Sequence, residues 1–193
     1  MNDLLSISTI FSLFLGIGSA AAAGFRIFLP LFVLSLAVKL GGSFINLDES
    51  WLWVGSTPAL ITLGVAMLVE IGAYYIPIID NMLDTIAVPL AGVAGTIAVG
   101  ITMPEMNEVA TWALAIIAGG GTAAAITTST AAARATSTLT TGGLGNNFVS
   151  STETATASFV SILAIFTPII AFIVVLLIIF VGIKMFKKVF SSR

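Results

Sequence analysis

The chain has 193 residues, 58% of them hydrophobic and 8% charged, with a formal net charge of −2. Soluble domains carry about 25% charged residues, so this composition excludes one, and no stretch is left over for a second, soluble domain. The small net charge and the lack of any basic patch exclude a nucleic-acid partner, and the absence of Cys and His excludes disulfides, thiol chemistry, haem attachment and the usual zinc sites.

Several runs of mostly apolar residues are long enough to cross a hydrocarbon core of roughly 30 Å. They predict an all-α, polytopic transmembrane helix bundle of about five segments, some broken or kinked. Segment one covers residues 4–38. The opening Met1-Asn2-Asp3 has no Lys or Arg, so we expect an uncleaved membrane segment rather than a signal peptide. As one helix the segment would be ~52 Å long, too long for a single crossing without strong tilt. Gly24 and Pro30 therefore mark an expected break, and Arg26 lies between them.

Residues 39–50 form a loop with Gly41-Gly42 and the acidic pair Asp48-Glu49. Segment two, residues 51–75, opens on Trp51 and Trp53 and closes on Tyr74 and Tyr75, which reads as two headgroup-level aromatic anchors. Glu70 lies about one turn inside the second anchor. The IPIIDNMLD stretch follows, placing Asp80, Asn81 and Asp84 at helical spacing, with the two aspartates on one face. These three residues fit a hard cation or, alternatively, a solvated loop in which Asp84 caps segment three. Segment three, residues 85–102, carries Pro89 as an expected break and a small-residue face of Gly92, Gly95 and Gly100.

A second acidic loop with Pro104, Glu105 and Glu108 leads to segment four, residues 109–141. Its second half is rich in Ser and Thr and contains Arg134, which predicts a helix inside the protein or beside water. That polar face reads equally well as a permeation route or as interhelical hydrogen bonding. Segment five, residues 153–186, starts at Glu153 and contains Pro168 as a further break. Lys184, Lys187, Lys188 and Arg193 supply four of the seven basic residues, which places the C-terminus in the cytoplasm and the protein in an inner or plasma membrane.

Gly18-Ser19-Ala20-Ala21-Ala22 has an echo in Gly121-Thr122-Ala123-Ala124-Ala125. An arginine, a glutamate and a proline follow each in that order, although the spacings differ. If the echo marks a structural repeat with the halves in opposite orientation, the fold is that of an inverted-repeat transporter, with its site at discontinuous helices near the midplane.

Four ionisable residues within the apolar segments are the candidates for binding: Arg26, Glu70, Arg134 and Glu153. The arginine forks suit a phosphate or carboxylate. The alternative is that arginines and glutamates neutralise one another, since an unpaired Arg at mid-membrane costs roughly 2.5–3.5 kcal/mol. Beyond the Asp80, Asn81 and Asp84 cluster, no metal ligand set, cofactor motif or enzyme constellation stands out in the sequence, and no metal, cofactor or enzymatic activity is expected.

The stretch from Ala21 to Leu31, AAAGFRIFLPL, resembles the opening signature of the uncharacterised bacterial and plant membrane family catalogued as domain of unknown function 4126. The stretch Ile76 to Asp84, with Glu70 before it and Pro89 and Gly92 after, resembles the second signature. The third region is similar in outline through Arg134, Asn146 or Asn147, Ser151, Glu153 and Pro168. It departs in having a glycine-rich link and Thr154 in place of a second acid. The resemblance spans residues 11–181 and implies a multi-pass membrane protein with no assigned activity.

The expected function is a small transporter or lipid flippase for a phosphate- or carboxylate-bearing substrate, a free anion or a lipid headgroup. A non-transporting scaffold whose small-residue faces take partner helices is the alternative. The bilayer is the expected partner, with homo-oligomers compatible.

Overall fold

A backbone in lipid must satisfy its own hydrogen bonds, and the apolar segments do so as helices. A computed structural model describes residues 7–41, 47, 49–103 and 107–191. Met1-Asn2-Asp3, Gly42, Asp48, Pro104, Glu105, Arg193 and the side chains of Lys187 and Lys188 lie outside the described residues.

The helices are α1 (Ile7–Ala23), α2 (Phe28–Gly41), a 3-10 segment (Glu49–Gly55), α3 (Thr57–Ala73) and α4 (Pro77–Thr102). Then come α5 (Glu108–Leu114), a π segment (Ala115–Gly120), α6 (Gly121–Thr141), α7 (Asn146–Phe166) and α8 (Pro168–Ser191). Among the described residues no strand occurs.

Segment one is two helices turned at residues 24–27 rather than one kinked helix. Gly24 sits at the break because a methyl there would lie 2.6 Å from Ile126 Cβ and 2.8 Å from the Ala123 carbonyl oxygen. Pro30 does not break the chain. It falls in the first turn of α2, where an N–H has no intrahelical acceptor to lose. Nor does Pro89, because α4 runs unbroken through it, as membrane helices permit. Pro168 does start a new helix after Thr167, whose φ of −144° and ψ of 69° leave the α region. Segment five is therefore also a helix pair, and segment three starts earlier than expected.

The expected five spans are consequently fewer. Three helical stretches among the described residues are long and apolar enough to cross a membrane: Ile78–Thr102, Glu108–Thr141 and Asn146–Phe166. A fourth is gained if the 3-10 segment and α3, bent by 62°, count as one. Both halves of segment one, and the second half of segment five (Pro168–Lys184), are shorter apolar helices.

The middle of the bundle is α1, packed against α4, α7 and α8. Ala20, Ala21 and Ala22 are wholly buried, since small side chains let neighbouring helices close in. Bulky residues face outward instead: Ile61, Val65 and Leu68 on α3, and Ile173, Leu176 and Phe180 on α8. So broad an exposed apolar surface marks a membrane protein.

Of the small-residue face of α4, Gly100 faces Trp51, while Gly92 and Gly95 lie on the chain's own π segment. Gly95 meets Gly119 there almost backbone to backbone. Gly16 of α1 and Gly119 both abut Val99, while Gly24 abuts Ile126 further along. Hence α1 and α6, the helices of the sequence echo, run in the same direction, both antiparallel to α4. An inverted repeat would need them opposed.

The Ser/Thr face of α6 is also different from expectation. Thr128, Ser129, Thr136, Thr140 and Thr141 are exposed, and each hydroxyl donates to the carbonyl four residues back. A hydroxyl satisfied by its own helix needs neither water nor a partner.

Candidate functional site

The C-terminal ends of α1, α3 and α6 meet the N-terminal ends of α2, α4 and α7 at one end of the bundle. Helix dipoles favour cations at C-termini and anions at N-termini. The sequence follows this rule: Arg26 comes just after α1 and Arg134 is in the later half of α6, while Asp80 and Glu153 stand in the first two turns or so of α4 and α7.

Arg134 is held on three sides. Its Nε donates to Glu153 Oε1 at 3.1 Å and one Nη donates to Glu153 Oε2. The other, Nη1, donates to Asp80 Oδ1 at 2.7 Å and lies 3.2 Å from Asp84 Oδ1. Two parallel bonds to one carboxylate is the strong geometry open to a guanidinium.

Arg26 comes to the same carboxylate from the α1–α2 turn, with Nη1 3.4 Å from Glu153 Oε2. Its Nε donates to Thr154 Oγ1 at 2.9 Å, and Nη2 donates to the Ser150 carbonyl at 2.8 Å and to the Ser150 hydroxyl. Nη1 makes no hydrogen bond within ordinary distance. Tyr74 joins the two arginines: their guanidinium carbons lie 4.1 and 4.0 Å from its ring centre. That spacing is a cation–π contact at both.

Glu70 does not pair with Arg26. Its two oxygens accept the backbone N–H groups of Ile27 at 2.7 Å and Phe28 at 2.9 Å. It thus caps α2 from another helix, in the place a local N-cap side chain would take. The Glu70→Gln variant keeps one acceptor and turns an NH2 toward the other N–H. We expect a loss of about 1–3 kcal/mol for that buried, unpaired donor, read as a lower unfolding temperature in detergent.

The set closes through Asn146, whose amide nitrogen donates to Asp80 Oδ2 and to Thr138 Oγ1, both at 3.0 Å. Arg26 is 0% exposed and Glu153 4%, whereas the Asp84 side chain is 23% exposed, so the cluster meets the surface at Asp84.

Of the residues singled out in the sequence, Arg26, Arg134, Glu153, Asp80 and Asp84 come together, with Glu70 adjacent at the α2 end. Asn81 is exposed on α4 and joins none of them. Asp84 is no cap, because α4 begins at Pro77, with no side-chain hydrogen bond from Ile76 at its cap. Tyr74 is no headgroup anchor, being 5% exposed, while Tyr75 is 41% exposed and its hydroxyl reaches Ser151. Ser150, Thr154 and the role of Tyr74 went unforeseen. Helical spacing held the signal: Ser150 and Thr154 flank Glu153 on one face of α7, and Tyr74 stands one turn after Glu70.

The arrangement has no nucleophile–base pair. Its capacity is to hold an anion between two guanidinium forks, one of which has a free donor. A family model described as Domain of unknown function (DUF4126) matches residues 13–188. No curated protein and no solved structure matches the chain.

Proposed function

The chain belongs to the DUF4126 family, whose description assigns no activity, and we propose that it is a small carrier or lipid flippase for a phosphate- or carboxylate-bearing group. The observation that carries this reading is Glu153, one carboxylate engaged by two buried guanidinium groups, one from the α1–α2 turn and one from α6. In the closed form it occupies the position of a cargo anion. Entry of cargo exchanges one anion for another at the arginines, so neither guanidinium is left bare in lipid.

The broken α1–α2 hairpin supplies the moving part, since Arg26 rides on its turn. With the α8 end and its basic tail taken as cytoplasmic by the positive-inside rule, the side of the cluster follows. Gly18 packs on Ala171 and Ser129 near Gly182, so α8 runs toward the cluster, which then faces the cytoplasm. For a lipid cargo, a groove of about 550 Å³ lined by Pro89, Gly92, Val93, Thr96, Trp112 and Ile116 lies further along α4.

A second reading, a non-transporting bundle locked by this polar cluster, draws support from the full burial and direct pairing of Arg26. Proteoliposomes separate the two. Carrier function predicts uptake of radiolabelled inorganic phosphate, or transbilayer movement of fluorescent phosphatidylglycerol, above protein-free vesicles. Arg26→Lys keeps the charge and loses the fork, so flux should fall about tenfold or more, the equivalent of one charge-assisted hydrogen bond. Neither cargo moving would leave the locked bundle as the better account.

A further inference from the structure

The charges gathered at this end do not balance. Arg26 and Arg134 face four carboxyl groups: Glu70, Asp80, Asp84 and Glu153. The three helix N-termini and three C-termini that meet here offset one another as dipoles. With every carboxyl ionised, two negative charges would stay uncompensated in a nearly dry cluster, and buried charges of that kind neutralise instead.

Asn146 gives a second, independent sign of a missing donor. Its amide nitrogen serves Asp80 and Thr138, yet its buried amide oxygen accepts from nothing, and the residue is only 8% exposed. Arg26 Nη1, a buried donor also without a hydrogen bond, lies 3.4 Å from Glu153 and does not serve it.

Bond accounting locates the proton. Glu70 accepts backbone N–H groups at both oxygens. Asp80 accepts from Arg134 at one oxygen and from Asn146 at the other. Glu153 accepts from Arg134 at both. A proton on any of these would weaken charge-assisted hydrogen bonds already in place. Asp84 differs: Oδ1 lies 3.2 Å from Arg134, no donor among the described residues reaches Oδ2, and the side chain touches the surface. The charged and titratable groups facing it are Asp80 on its own helix, Arg134 from α6, Glu153 from α7, Arg26 from the α1–α2 turn and Tyr74 from the α3–α4 turn.

We propose that Asp84 is the proton-exchange site of the cluster, holding one proton and trading it with water at this end of the bundle. When the proton leaves, the Asp84 carboxylate competes with Glu153 for Arg134 and loosens the anion bridge. That coupling to cargo rests on the carrier reading; the proton site does not.

Infrared difference spectroscopy on the purified full-length protein reads the site without any cargo. The expected result is a protonated-carboxyl C=O band that shifts promptly on transfer to D2O, is lost in Asp84→Asn and is kept in Glu70→Gln. Asp84→Asn resembles a neutral carboxyl, so it should unfold at the wild-type temperature or above, while Asp80→Asn unfolds well below it. A wild type without the band, a band that survives in Asp84→Asn, or an Asp84→Asn that unfolds as early as Asp80→Asn would each overturn the site. If the site holds and no anion flux is found, the carrier reading alone falls.

Discussion

Arg134→Gln should be among the most destabilising single substitutions in the chain. The guanidinium stands between Asp80, Asp84 and Glu153, and its loss leaves the buried Asp80 and Glu153 carboxylates facing one another. Removing one partner of a buried ion pair costs about 3–5 kcal/mol, because the remaining charge is stranded. Two buried carboxylates, Asp80 and Glu153, lose this cation together, so the upper part of that range is expected. Arg134→Lys should recover part of the loss, since a point charge cannot make the two parallel bonds to Glu153. Thermal unfolding of the detergent-purified protein, followed by size exclusion, reads the effect. An Arg134→Gln protein as stable as wild type would show that the cluster does not hold the helix ends together.

Gly95→Ala and Gly119→Ala should rival it by another route. A methyl on Gly95 would fall 2.5 Å from the Gly119 carbonyl oxygen and 2.6 Å from Ala123 Cβ, and a methyl on Gly119 would collide with the Gly95 carbonyl oxygen. Both obstacles include backbone, which cannot rotate aside as a side-chain tip does. Overpacking ordinarily costs about 1–3 kcal/mol, and a backbone clash at a helix crossing belongs at or above the top of that range. Gly72 and Gly92 provide the control. Gly72 has nothing within 4 Å of the added methyl, and at Gly92 the nearest atom is the Gly120 carbonyl oxygen at 3.8 Å. Alanine there should be neutral, or stabilising by up to about 1 kcal/mol from helix propensity. Equal unfolding temperatures for Gly92→Ala and Gly95→Ala would contradict the close crossing.

The glycine contrast also shows what sequence carries and what it does not. Gly92 and Gly95 look alike in an apolar run, and only the register of α4 on the π segment separates them. Residues whose physics is local were legible in part, since Pro30 and Pro89 break no helix. Gly24 and Pro168 end helices, and an arginine in an apolar run demands an anion wherever it sits. The choice among several anions depends on how helix ends are brought together. Glu153 takes both arginines, and Asp80 and Asp84 share Arg134, because α4 and α7 both start at the end where α6 finishes. Glu70 was drawn instead to the open N–H groups of α2, a competitor that exists only once the α1–α2 turn has formed. Tyr74 and Tyr75 show the same limit: adjacent in sequence, one is buried between arginines and the other faces outward. For the Ser/Thr face of α6, composition misleads, because each exposed hydroxyl finds its acceptor within its own helix.

If Glu153 stands where a cargo anion binds, its removal should leave a vacancy that an added anion can fill. The direct test is the unfolding temperature of Glu153→Gln with increasing inorganic phosphate or formate, against chloride at the same ionic strength. A ligand that binds only the folded form stabilises it by about 2.7 kcal/mol at one hundred times its Kd. The account predicts a saturable rise for Glu153→Gln that exceeds the rise for wild type and disappears when Arg26→Gln is added. A Glu153→Gln protein that unfolds at one temperature whatever the anion would contradict it.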